Sequence, residues 1–255
     1  VLLAGYAQQG FGEEAVNCFK RMQSMSFLIL DVVTFTYALK ACGLAGAIDK
    51  GIQIHNEIVT NGLLEKDIIL GNALIDIYVK CGDLAKAKKA LEELPLQDII
   101  SWNSLITGYA LRGQSQESLE CLAWMQSEGV SPDEVTFLCI LNAFSHSGLL
   151  DSAQKYFEVM VREYGIVADI EHKNCMLDLV ARAGRLDEAF AMLERDLFVK
   201  PNSVTFNAML GACNKWGNVE LGWKAFNSML RISDDGHCRI AAYQLMAMIC
   251  GNSCE

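Results

Sequence analysis

Apolar and small residues recur along the chain at fixed distances from a series of glycines. The glycines follow at intervals of 36, 36, 31, 35, 36 and 33 residues: Gly10, Gly46, Gly82, Gly113, Gly148, Gly184 and Gly217. A branched aliphatic residue stands seven positions before each: Leu3, Leu39, Ile75, Ile106, Leu141, Leu177 and Leu210. A small residue stands five positions after each: Ala15, Gly51, Ala87, Ser118, Ala153, Ala189 and Gly222. Such phasing identifies a repeat protein with a period near 35 residues.

Each unit is predicted to be two helices joined at the glycine. Apolar residues also stand four positions before the glycine, so the two apolar positions are three apart and share one helical face. A glycine is a typical stop for the first helix, and we expect the small residue to let both helices of the hairpin approach closely. Because one hairpin cannot bury its own apolar face, the hairpins are expected to stack into an all-α solenoid.

The unit lengths vary in an ordered way. Boundaries at a recurring polar end residue define 32–67, 68–98, 99–133, 134–169 and 170–202. The strings GNALIDIYVKCGD and SWNSLITGY make these units resemble pentatricopeptide repeats of the plant organellar PLS subfamily. That resemblance implies a right-handed α-solenoid whose five units are long, short, standard, long and short. Residues 1–31 would be a partial unit, and 203–255 resembles an incomplete E-type extension, as in a chain truncated at both ends.

Polar residues occupy one further column, ten positions before the glycines. Its members are Thr36, Asn72, Asn103, Leu138, Asn174 and Asn207, so five of the six are polar. The last residues of the units are also polar: Asp31, Asp67, Asp98, Asp133, Asp169 and Asn202. An amide offers both a donor and an acceptor, so one amide per repeat could read the bases of single-stranded RNA. The alternative is that these residues only cap helices.

The family resemblance implies base choices for four residue pairs. Asn72 with Asp98 and Asn103 with Asp133 would select uracil, and Asn174 with Asn202 would select cytosine. Thr36 with Asp67 would select guanine, whereas the unit 134–169 has Leu138 in this column and would read no base edge. In the family's parallel orientation the expected core is 5′-GUUNY-3′.

Basic residues two positions before the glycine are candidate phosphate contacts in this family. Here only Lys80, Arg182 and Lys215 are Lys or Arg at that position. Ordinary solvated charge is the alternative. The chain carries 31 acidic and 21 basic residues among 255, a net charge of −10, which on charge alone argues against nucleic acid.

No catalytic or metal motif is complete. His55-Asn56-Glu57 matches the H-x-E of zinc deaminases, but no P-C-x-x-C follows it, so neither zinc nor another cofactor is expected. The ten cysteines lie mostly in apolar runs and are interpreted as buried thiols in a reducing compartment. No stretch of 18 apolar residues occurs, so no membrane span is expected.

Together these patterns favour a non-enzymatic adaptor. The resemblance implies single-stranded RNA binding for organellar C-to-U editing. The edited cytidine would lie four nucleotides beyond the base that faces 170–202. A deaminase or accessory factor would be recruited in trans through 203–255, in a mitochondrion or chloroplast, although this fragment has no transit peptide. A protein-binding helical scaffold is the alternative, and a decayed fragment that binds nothing is a third.

Overall fold

The computed structural model describes residues 1–25, 30–65, 67–195, 201–232 and 236–251, which form helices and no strand. Contacts divide the chain into two compact units, 1–132 and 133–255. In the first unit the hairpins are α1 (Leu2–Gln8) with α2 (Gly12–Gln23), α3 (Val32–Ala45) with α4 (Ile48–Thr60), α5 (Ile68–Cys81) with α6 (Leu84–Glu92), and α7 (Ile99–Leu111) with α8 (Ser115–Ser127).

The second unit repeats this arrangement. Its hairpins are α9 (Glu134–Ser147) with α10 (Leu150–Arg162), α11 (Ile170–Arg182) with α12 (Leu186–Arg195), and α13 (Ser203–Trp216) with α14 (Val219–Ile232). A last helix, α15 (Gly236–Gly251), packs on α13 and α14. The predicted all-α solenoid of helical hairpins is confirmed within each unit. None of the helices among the described residues is long and apolar enough to cross a bilayer.

The seven repeat glycines all turn the chain in the left-handed region. Their φ values lie between 63° and 85°, which only glycine adopts at little cost. At Gly82 the following N–H, of Asp83, donates to the Tyr78 carbonyl at 2.9 Å and closes the end of α5. The predicted helix stop is confirmed, because this turn is what allows α6 to run back along α5.

Six of the first helices, α3, α5, α7, α9, α11 and α13, begin after polar caps. The side chains of Asp31, Asp67, Asp98, Asp133, Asp169 and Asn202 each accept a hydrogen bond from a backbone N–H in the first turn of the helix that follows. At Asp98 the donor is the Ser101 N–H, at 2.8 Å. These bonds satisfy donors that a helix start would otherwise leave unpaired.

The recurrent apolar positions form the core. All seven aliphatic residues seven positions before the glycines are at most 5% exposed. Most residues four positions before the glycines are also buried, but Tyr6, in α1 at the start of the chain, and Tyr109 are more exposed.

The small column has a different neighbour from the one we expected. A Cβ on Gly51 of α4 would overlap the Ile77 Cδ1 atom in α5, and a Cβ on Gly222 of α14 would lie 3.2 Å from Ile249 Cδ1 in α15. At these two positions the small residue therefore admits the helix that follows the hairpin, rather than the partner helix within it. The reason is that α4 packs against both α3 and α5, and α14 packs against both α13 and α15.

Enlarging a member of this column should strain the stacking of hairpins. Ala87 is fully buried in α6, and Ala85 on the same helix is exposed. We expect Ala87→Leu to lower the free energy of unfolding by about 1–3 kcal/mol, because added methyl groups have no room. The control Ala85→Leu should change it by less than about 0.5 kcal/mol. Equal effects in urea unfolding would show that the column does not limit the packing.

Candidate nucleic-acid interface

One predicted pair meets in the first unit. The Asn72 Nδ2 atom, on α5, lies 3.2 Å from both carboxylate oxygens of Asp98, which caps α7. The Asn72 Oδ1 atom is buried and has no hydrogen-bond partner. The carboxylate therefore serves two helices: it accepts the Ser101 N–H and fixes the amide of Asn72. This fixed amide has one acceptor left to use.

A second predicted pair meets in the second unit. The Asn174 Nδ2 atom, on α11, lies 3.5 Å from the Asn202 Oδ1 atom at the start of α13. The Thr205 hydroxyl donates to Asn174 Oδ1 at 2.6 Å and also reaches Asn202 Oδ1 at 2.9 Å. Here the amide oxygen already accepts one hydrogen bond, so a ligand would have to use its second lone pair or displace the hydroxyl of Thr205.

The pair of Thr36 and Asp67 is not brought together in this way. The Thr36 hydroxyl donates to the Val32 carbonyl at 2.9 Å, and Asp67 accepts the Ile69 N–H at 2.8 Å. The described contacts include no hydrogen bond between Thr36 and Asp67. Asn103 is 8% exposed in the first unit, and Asp133 caps α9 in the second, so this pair belongs to two separately described units.

The capping interpretation is correct for all six unit-end residues, but it does not exclude a second role. A carboxylate has about four lone-pair sites, and a cap uses only one or two of them. The hydrogen bond from the Thr34 hydroxyl lowers the pKa of Asp31, the cap of α3, so that this side chain stays ionised. Asp169 is held in the same state: burial opposes ionisation, but hydrogen bonds from His172 prevail and lower its pKa.

Exposed aliphatic side chains form a further column that the sequence analysis missed. They stand three positions before the polar column, between 46% and 62% exposed: Val33, Ile69, Ile100, Val135 and Val204. Only α11 departs, with Glu171 at this place. An apolar residue that recurs in the exposed first turn of a helix was visible in the sequence. A recurrent exposed apolar position indicates a contact surface rather than core.

The candidate phosphate cations are largely neutralised. The Lys80 Nζ atom lies 2.6 Å from Asp76 Oδ2, and Arg182 pairs with Asp178, in each case one helical turn away. Arg182 also donates to the Ser145 hydroxyl at 2.6 Å. Lys215 instead donates to the Arg182 carbonyl at 3.2 Å and lies 5.2 Å from the Trp216 ring centre. The sequence analysis did not anticipate these ion pairs, although i,i+4 spacing permits them.

The histidine of the H-x-E motif contacts side chains of the neighbouring helices. His55 Nδ1 lies 2.8 Å from the Tyr78 hydroxyl, and Nε2 lies 3.2 Å from a carboxylate oxygen of Glu93, so the ring links α4 to α5 and α6. Burial lowers the pKa of His55, despite the opposing charge of Glu93, and raises that of Tyr78 to about 12. Among the described residues no three His, Cys, Asp or Glu side chains are placed to hold a metal ion.

Half of the eight cysteines whose side chains are described are core residues, whereas Cys18, Cys81, Cys175 and Cys250 are half-buried. Cys42, Cys121, Cys139 and Cys213 are buried. Burial raises the pKa of Cys42 to about 11 and that of Cys121 to about 12, so both thiols stay neutral and unreactive. Cys238 and Cys254 lie where no side chain is described.

Models of known families match much of the chain. The PPR repeat model matches 1–27, 72–99, 135–164 and 204–233, the PPR repeat family model matches 97–146, and the pentatricopeptide repeat domain model matches 157–215. Two Arabidopsis thaliana pentatricopeptide repeat-containing proteins, one of them putative and the other mitochondrial, are each 35% identical over 97% and 99% of the chain. The chain spans 33% and 39% of their lengths.

Solved structures share the fold. Maize PPR10, in its complex with an 18-nt psaJ RNA element, covers 98% of the chain at 16% identity with a TM-score of 0.70, over 39% of its own length. A tetratricopeptide repeat protein of Parabacteroides merdae covers 97% at 12% identity with a TM-score of 0.56, over 96% of its own length. Likeness at this identity shows the fold alone. With the repeat matches and the Arabidopsis relatives, it follows that the chain belongs to the pentatricopeptide repeat family.

Proposed function

We propose that this chain binds single-stranded RNA with one base per repeat and acts as a site-recognition adaptor in organellar RNA processing. The observation that carries the proposal is the pair of Asn72 and Asp98. The carboxylate holds the amide in place, and the Asn72 Oδ1 atom is left without a partner. A buried polar atom without a partner costs free energy, and a ligand that donates a hydrogen bond recovers it once the neighbouring side chains move aside.

The chemistry of that atom fits the predicted base. An oxygen that lacks a donor can accept the N3–H of uracil, which is the choice implied for Asn72 with Asp98. The exposed side chains of Ile69 and Ile100 stand on successive first helices of the same unit, one before and one after Asn72. They offer apolar surfaces to the faces of a splayed base, and such packing tolerates any base. Selectivity then rests on the amide.

The ion pairs set the electrostatic part of binding. Since Lys80 and Arg182 are each held by an aspartate on their own helix, a phosphate must compete with a carboxylate for them. Each phosphate contact to a single strand contributes about −0.7 to the salt slope, so few effective contacts give a shallow dependence. A net charge of −10 is compatible with RNA binding only in this modest regime.

The finer parts of the proposal concern the whole protein. The RNA would carry 5′-GUUNY-3′, with the edited cytidine four nucleotides beyond the base facing 170–202. Residues 203–255 would recruit a deaminase in trans, since no catalytic motif is complete in this chain. A mitochondrial site is supported by the name of one relative, and a chloroplast remains the alternative. The PLS assignment and the long, short and standard unit types belong to the same proposal.

A protein-binding scaffold is the second candidate. Two observations favour it: the acidic net charge and the fold shared with a tetratricopeptide repeat protein. The exposed aliphatic column would then contact an apolar peptide, and the amides of the polar column would have no RNA sequence to read. Substitution of the amides separates the two candidates, because only RNA recognition depends on them.

Removing two amides should weaken RNA binding. We expect Asn72→Ala/Asn174→Ala to lower the affinity for a GUUNY RNA by at least about tenfold, since each good base contact is worth about 1–3 kcal/mol. The matched control, Asn56→Ala/Asn227→Ala, removes exposed amides from second helices. Gel-shift titration of the two variants measures the difference. Equal affinities, or no RNA binding by the wild type, would contradict the proposal.

Removing the ion-pair partner of Lys80 should strengthen RNA binding equally for every RNA sequence. Asp76→Asn removes the partner of Lys80, so we expect several-fold tighter binding to any single strand and a salt slope steeper by about 0.7 between about 50 and 200 mM salt. The double variant Asp76→Asn/Lys80→Met should lose this gain. Unchanged affinity and slope in the single variant would show that Lys80 does not meet phosphate.

A further inference from the structure

The segment 203–232, which the sequence analysis assigned to an extension, is built as another repeat. Asn202 caps α13 through a reciprocal capping box with Thr205, and Gly217 ends α13 at a φ of 64°. Gly222 of α14 is buried against Ile249 of α15, as Gly51 of α4 is against Ile77 of α5. The PPR repeat model matches 204–233. The hairpin α13–α14 therefore has the same architecture as the hairpins before it.

Asn207 holds the base-reading place in this hairpin. It stands ten positions before Gly217, as Asn72 stands ten positions before Gly82. The Asn207 Oδ1 atom is buried and has no hydrogen-bond partner, the same condition as Asn72 Oδ1. Two of the five such atoms among the described residues stand at this one repeat position, although buried polar atoms are normally paired. Both lack a donor that a nucleobase can supply.

The surroundings of Asn207 complete the pattern. Val204, three positions earlier, is 59% exposed and offers an apolar surface for a base face. Lys215, eight positions later, lies on the same face of its helix as Asn207, just as Lys80 lies on the same face as Asn72. The place between them is taken by Gly211, where α5 and α11 have Asp76 and Asp178. The contacts of Lys215 within the described residues are a carbonyl and an aromatic ring, so its charge is free for a phosphate.

We propose that α13–α14 is a sixth base-reading repeat, which binds the nucleotide 3′ of the one assigned to Asn174 and Asn202. Asn207 contacts the base edge, Val204 packs against the base face, and Lys215 meets the phosphate. This inference rests on the proposed function and lengthens the footprint to six nucleotides, 5′-GUUNYN-3′, with selection at the last one. Recruitment of a deaminase then uses surfaces of 203–255 other than the face of α13 that carries Val204, Asn207 and Lys215.

The test varies one nucleotide. Four RNAs carry the GUUNY core followed by A, C, G or U, and their affinities for the 1–255 chain are measured by fluorescence anisotropy. We expect the wild type to prefer one RNA by at least about fivefold. Asn207→Ala should reduce that preference to less than about twofold while the preference for the core persists. Asn227→Ala, which removes an exposed amide of α14, should leave both preferences unchanged.

Two further variants separate recognition from stability. Asn207→Thr places at this position the residue that α3 has at Thr36, and it should change which base is preferred. Lys215→Met should weaken binding to all four RNAs equally and reduce the steepness of the salt slope by about 0.7. Circular dichroism confirms that each variant is folded before its affinity is used.

The outcomes distinguish the two proposals. A wild type that prefers the core but binds the four RNAs equally overturns the sixth site and leaves the proposed function standing. So does Asn207→Ala with an unchanged preference at the sixth nucleotide. A wild type with no preference for the core overturns both.

Discussion

The hydrogen bond between a unit-end side chain and the start of the next first helix is the interaction on which the rest of this structure depends. At Asp98 one carboxylate accepts the Ser101 N–H and also holds the amide of Asn72. The bond thus fixes where a helix begins and where a recognition group points. Because the same residue does both, capping is compatible with the proposed base recognition, and a loss of the cap would also misplace the amide.

Most of the fold could be predicted from periodicity. The glycines with positive φ and the buried aliphatic residues seven positions before them followed from spacing alone, since both depend on local geometry and on which face of a helix is covered. Which helix packs against the column of small residues could not be predicted from spacing. Gly51 meets Ile77 of the next hairpin, and sequence spacing within a unit carries no information on which helix approaches from outside it. The exposed column that includes Ile69 and Ile100 recurs visibly in the sequence, but spacing alone does not show that these side chains are exposed.

The candidate site was predictable in outline but not in its electrostatics. The positions of Asn72 and Asp98 were named from spacing, and the structure brings them within 3.2 Å. Thr36 instead bonds within its own helix, because a hydroxyl four residues after a carbonyl can always turn back to it. Lys80 is paired with Asp76 on the same helix as Asn72. In the proposed function, such ion pairs would make RNA binding depend on the amides more than on charge.

Enrichment of RNAs from a random single-stranded pool tests the central claim most directly, because it presupposes no base assignment. The account predicts that the wild-type chain enriches one motif, which contains 5′-GUUNY-3′. It also predicts that Asn72→Ala relaxes selection at the first U while the rest of the motif persists. Recovery of no motif, or of a motif that is unchanged in the Asn72→Ala variant, would contradict one-base-per-repeat recognition.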